Sequence, residues 1–165
     1  MIKRSHSFFR KDPMKHPILL KAACAATLAA SVASVGAITV ADKDAIKFRQ
    51  SAFFLISNVF GEINGMAQGR IPMNEAVLKD RAALLNSLVT LPFHAFPEGS
   101  DKGQTKAKPE IWMEGDKFKK AASDAQAAVA KLNTAVAAGQ TKDLKALAGD
   151  VGKACKGCHD NYRAK

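Results

Sequence analysis

Between Pro109 and Gly139, apolar residues recur at Ile111, Phe118, Ala122, Ala125, Val129, Leu132 and Val136. This spacing puts them on one stripe of an α-helix, and it has none of the alternation of a half-buried strand. Pro109 suits a first helical turn, and Gly139 suits the left-handed residue at which a helix stops. A helix with one apolar stripe must lay it against other elements. The partners have to come from the rest of the chain.

Three further segments repeat the pattern. The first, from about Asp42 to Gly69, carries Ala45, Phe48, Ala52, Leu55, Val59, Ile63 and Met66, with a second line through Phe53, Ile56 and Phe60. The second, from about Asn74 to Thr90, turns Val77, Leu84, Leu85 and Leu88 inward, with Asn74 as its N-cap and Pro72 barring continuation from the first. The last starts near Thr141 with Asp143 in its first turn, and its stripe runs Leu144, Leu147, Val151, Cys155, Cys158, Tyr162. Residues 91–108 hold prolines, glycines and charges, and read as a loop long enough to be functional. The expected fold is all-α, an antiparallel four-helix bundle. Many inward positions of the third helix are alanine, so the bundle is expected to be underfilled unless something bulky occupies part of it.

The fourth stripe carries Cys155, Cys158 and, one residue on, His159. C-x-x-C-H is the attachment signature of c-type haem: two thiols one helical turn apart for thioethers, and an imidazole that reaches the iron. A thioredoxin-like pair would need a βαβ context, which is missing from the pattern. A zinc site would need a fourth ligand; His94 and a carboxylate are conceivable, but the spacing is unlike that of zinc ribbons. The readings therefore rank haem c first, with Cys155 and Cys158 as attachment points and His159 as the metal ligand.

The front of the chain supports export. Lys21 is followed by a small, apolar, uncharged run through Ala41, with the proportions of a signal h-region rather than a lasting membrane anchor. Residues 1–41 read as a signal peptide, with residues 1–13 as a misannotated start or dispensable extension ahead of Met14, and 42–165 as the bundle domain. The expected location is the periplasm, without membrane insertion after cleavage. Cys24 would leave with the signal. The net charge of +10 is uneven: six of 25 basic and one of 15 acidic residues fall in residues 1–41, which leaves a modest +5. That balance does not point to nucleic acid.

The stretches "GKACKGCHDNYRAK", "FRQSAFFLISNVFG", "LPFHAF" and "KAKPEIW" together resemble the cytochrome c′ family, the class II c-type cytochromes, in order and over essentially all of residues 45–165. The resemblance implies a four-helix bundle with covalently bound haem c, often a homodimer packed through its first two helices. It implies that Arg49 and Gln50 contact the haem and its propionates, that Lys106 lies where the loop passes the haem edge, and that Arg163 stands beside the proximal histidine. In low-spin relatives a methionine of the first helix is the sixth ligand. Here that position is Phe53, and Met66 lies 13 residues further along, about 20 Å on a helix. The expectation is a five-coordinate haem under a Phe53 lid, binding small diatomic gases such as nitric oxide and carbon monoxide, with iron redox and electron transfer to an unknown partner. The alternative is a low-spin six-coordinate class II electron carrier. An enzyme such as a peroxidase is not expected, for want of an acid–base pair near Phe53.

Overall fold

The computed structural model describes residues 40–165, so the signal region and Cys24 lie outside the described residues. Five helices follow in order: α1 (Ala45–Ala67), α2 (Glu75–Leu88), α3 (Glu110–Met113), α4 (Gly115–Ala137) and α5 (Leu144–Tyr162). Short 3₁₀ turns cover Asp42–Asp44 and Leu91–His94. The long helices α1, α2, α4 and α5 form the four-helix bundle, with α4 against α2 and α5 and α1 against α2. None of the described helices is long and apolar enough to cross a membrane.

The expected punctuation is in place. The Asn74 side chain accepts from the Val77 amide at 3.1 Å and caps α2. Gly139 takes φ +71 and ends α4, while the Gln140 amide returns to the Ala135 carbonyl at 2.9 Å. The predicted single helix from Pro109 to Gly139 is two. Glu114 leaves the helical region (φ −118, ψ 43), beside Gly115, a poor helix former. The Phe118 amide still reaches the Glu114 carbonyl at 3.0 Å, so the chain bends there rather than stopping.

All seven positions predicted inward on that helix are buried. The other stripes need correction. In α2 the buried residues are Leu78, Ala82 and Leu85, whereas Val77 and Leu84 are exposed; in α1, Leu55 is exposed. The main core joins Ile63, Leu78, Leu85, Val129, Leu132, Val136 and Val151. Each contributes about 1.5–3 kcal/mol by leaving water. A second, aromatic cluster lies apart, with Ile111, Phe118 and Tyr162 buried and Phe93, Phe96, Trp112 and Cys158 packed around them.

The end of the chain is tied down by backbone pairing that the sequence pattern does not announce. Ala107 and Arg163 form an antiparallel bridge. The Lys108 amide donates to the Tyr162 carbonyl at 3.1 Å, and the Ala164 amide to the Lys106 carbonyl at 2.8 Å. The long loop and the last turn of α5 are thereby held side by side.

Candidate functional site

A cavity of about 790 Å³ opens at the aromatic end of the bundle. Three parts of the chain wall it. One face of α1 supplies Arg49, Gln50, Phe53 and Phe54; the loop supplies Phe96 and residues 104–107; the end of α5 supplies Cys158, His159, Tyr162 and Arg163. Ile111 and Phe118 complete the apolar interior. The alanines expected to leave this volume do not line it: Ala122 and Ala125 are buried elsewhere along α4, and the space lies at the bundle's end instead.

Seven of the eight residues singled out in the sequence line this cavity: Arg49, Gln50, Phe53, Lys106, Cys158, His159 and Arg163. Cys155 is the eighth. It is half-buried one turn before Cys158 and packs against the main core. His94 sits at the end of its 3₁₀ turn and does not line the cavity. Met66 is buried in the core, Met73 is exposed, and neither lines the cavity.

Phe53 and His159 face each other, with ring centroids 6.2 Å apart at 77°. The Phe53 ring is steadied edge-on by Phe93 at 6.1 Å. Partial burial lowers the His159 pKa, and the Arg163 guanidinium lowers it further against the opposing pull of Asp160. A neutral imidazole is the form that ligates metal. Arg163 has left the helix for extended backbone, and its amide donates to the His159 carbonyl at 3.1 Å. Burial raises both thiols: Cys155 upward, and Cys158 to about 11, with Cys155 adding to the second.

Arg49 is the surprise of the site. It is 2% exposed, the one charged residue buried among those described. Nη1 donates to the Ala95 carbonyl at 3.0 Å and to Ser100 Oγ at 2.7 Å. Nη2 donates to the Ser100 carbonyl at 2.5 Å and to Thr105 Oγ1 at 2.9 Å. The guanidinium also stacks over the Phe96 ring at 4.6 Å. Its four terminal N–H groups thus clamp the loop onto α1. Gln50 adds a weaker tie, donating to the Gln104 carbonyl at 2.8 Å. Burial lowers the Arg49 pKa, and Asp101 offsets this only in part. A buried cation without a close carboxylate is costly until an anion joins it.

These observations test whether the residues fit a haem. The interior is aromatic and aliphatic, its charged lining is Arg49, Lys106 and Arg163, and no carboxylate lines it. An apolar ring with two anionic arms matches both properties. A thiol and an imidazole stand on one wall, and a second thiol lies one turn back. The residues fit the group.

Comparison with known proteins agrees with this geometry. The model of the family described as Cytochrome C′ matches residues 44–163. A cytochrome c′ of Rubrivivax gelatinosus is 47% identical over 123 residues, covering 74% of this chain and 95% of that protein. Its crystal structure superposes with a TM-score of 0.73 at 44% identity, covering 77% of this chain and all of that one. The nitric oxide complex of a variant cytochrome c′ from Alcaligenes xylosoxidans superposes with a TM-score of 0.71 at 38% identity, covering 78% of this chain and 99% of that one.

Proposed function

Because the chain belongs to the cytochrome c′ family, whose prosthetic group is covalent haem c, we propose that it is an exported cytochrome with a five-coordinate haem that binds small diatomic gases. When bound, the haem supplies a redox-active iron with affinity for such ligands. Cys155 and Cys158 would hold it covalently and His159 would ligate it. Arg49 and Gln50 would contact the haem and its propionates, Lys106 would lie at the haem edge, Arg163 would stand beside His159, and Phe53 would cover the face opposite His159.

The observation that carries the five-coordinate reading is the Phe53–His159 pair. The side chain opposite the histidine is a hydrocarbon ring, and the cavity lining contains neither methionine nor a second histidine. The nitric oxide complex of the Alcaligenes relative supports the gas-binding part. The absorption spectra of the purified ferric and ferrous protein test it. High-spin spectra are expected; low-spin spectra would favour the six-coordinate electron carrier.

Two further parts of the reading concern its setting. Residues 1–41 act as the signal that sends domain 42–165 to the periplasm, where the haem is attached. The chain pairs with a second copy through α1 and α2. Among the described residues, six of the seven exposed large apolar ones, Phe54, Leu55, Ile71, Met73, Val77 and Leu84, fall on these two helices and their connection. So much apolar surface on one hairpin favours a protein partner.

A further inference from the structure

Tyr162 is the chain's one tyrosine, and it stands in the wall between two cavities. The residue, 6% exposed, lines the large cavity beside Cys158 and His159, and its ring meets the Phe118 ring edge-on at 5.2 Å. The same residue lines a second, polar depression of about 380 Å³ on the outer side, together with Glu114, Lys117 and Asp124. Burial raises the phenol pKa, the Glu114 carboxylate raises it further, and Lys117 opposes them.

A tyrosine with its ring inside and its hydroxyl at a wet surface is ordinary packing. Packing alone does not account for a carboxylate, Glu114, that shares the outer depression with Tyr162 and pairs there with Lys117 at 3.0 Å. Resting on the haem reading above, we propose that Tyr162 is a one-electron relay that carries oxidising equivalents from the large cavity to the outer depression. The oxidant is a peroxide, whose reduction to two waters takes two electrons and two protons. Tyr162 gives one electron, the second comes from the haem iron, and solvent supplies the two protons. The phenolic proton passes to the Glu114 carboxylate, which leaves a neutral phenoxyl radical and a neutral carboxylic acid. A one-electron reductant of the ascorbate class at the outer depression returns the electron, Glu114 returns the proton, and a second equivalent of the same reductant, relayed through Tyr162 in the same way, restores the iron.

The test treats ferric holoprotein with hydrogen peroxide, freezes it for electron paramagnetic resonance, and in parallel adds a nitroso spin trap and maps the labelled peptide. A tyrosyl signal and an adduct on Tyr162 are expected in the unmutated protein. Both are lost in Tyr162→Phe, while covalent haem content, ferric spectrum and Tm are retained. Glu114→Gln keeps the phenol but cannot take its proton, and it lowers the radical yield; this variant and the adduct map decide the matter if Tyr162→Phe fails to fold. An adduct on Trp112 with Tyr162 unlabelled would overturn the relay. So would a signal that survives Tyr162→Phe, peroxide consumption without a protein radical, or inertness to peroxide. A preparation with no covalent haem in the pyridine haemochrome assay would instead overturn the haem reading.

Discussion

The Phe53 ring lies 6.2 Å from the His159 ring and tilts 77° to it. One residue belongs to the third turn of α1 and the other to the last turns of α5. The bundle thus sets a nitrogen donor against a hydrocarbon edge. Whatever binds between them meets one side that can donate electrons and one that can only exclude.

The lid should be removable. Phe53→Ala takes away a half-buried ring held by Phe93. Displacing such a ring to admit a ligand costs about 1–3 kcal/mol, roughly tenfold to a hundredfold in affinity. Carbon monoxide titration of the ferrous variant should show tighter binding by that factor. Equal affinities would mean that Phe54, which also lines the cavity, or another residue of α1 controls access.

Arg49 should govern the loop more than the bundle. Arg49→Met keeps the bulk and removes four donors, stranding the buried Ala95 carbonyl that accepts one of them. The expected loss is about 2–4 kcal/mol. Lysine should not rescue it, because one ammonium cannot reproduce a planar fork. Hydrogen exchange should rise first at residues 95–105. A uniform rise across α2 and α4 would show that the clamp is a global support instead.

What could be read ahead of the structure was whatever is local. The stripe from Ile111 to Val136 and the haem signature are each written in one continuous stretch; the stripe is buried along its length, and the family to which the signature points is the one the chain belongs to. Periodicity could not say which of two stripes in α2 faces the core. Val77 and Leu84 form as good a line as Leu78, Ala82 and Leu85, and only the packing of α1 and α4 against α2 separates them. The Arg49 clamp joins residues 46–56 positions apart, which no short pattern encodes. The pairing of Lys106 and Lys108 with the chain's end is a single bridge, too short to show strand alternation. The cavity was expected among the alanines of α4 and lies among aromatics instead, because it is made by the loop and the helix ends, not by the bundle's middle.

The exposed apolar face of α1 and α2 gives a prediction about assembly. Leu84→Glu places a charge on that face without touching the cavity. Sedimentation should show a dimer for the unmutated protein and a monomer for the variant, with the ferric absorption spectrum unchanged. A variant that remains dimeric would place the interface elsewhere.

The two thiols give the last prediction. In the haem-free folded chain Cys158 is held at about 11, two units above the ordinary value of 9.0. Only the thiolate reacts with iodoacetamide, so below pH 9 its reactive fraction is on the order of a hundredfold smaller than that of an unfolded cysteine. Alkylation followed by mass spectrometry should show that lag, and denaturant should abolish it. The linkage to stability has a definite sign. Above pH 9 the unfolded chain loses the thiol proton while the folded chain keeps it, so the Cys158 contribution favours unfolding as pH rises toward 11. Urea midpoints of the haem-free protein should therefore fall across that window. Replacing both Cys155 and Cys158 with alanine should flatten the fall and leave no haem on the denatured chain. If acid–acetone extracts haem from the unmutated protein, the thiols are not its attachment points.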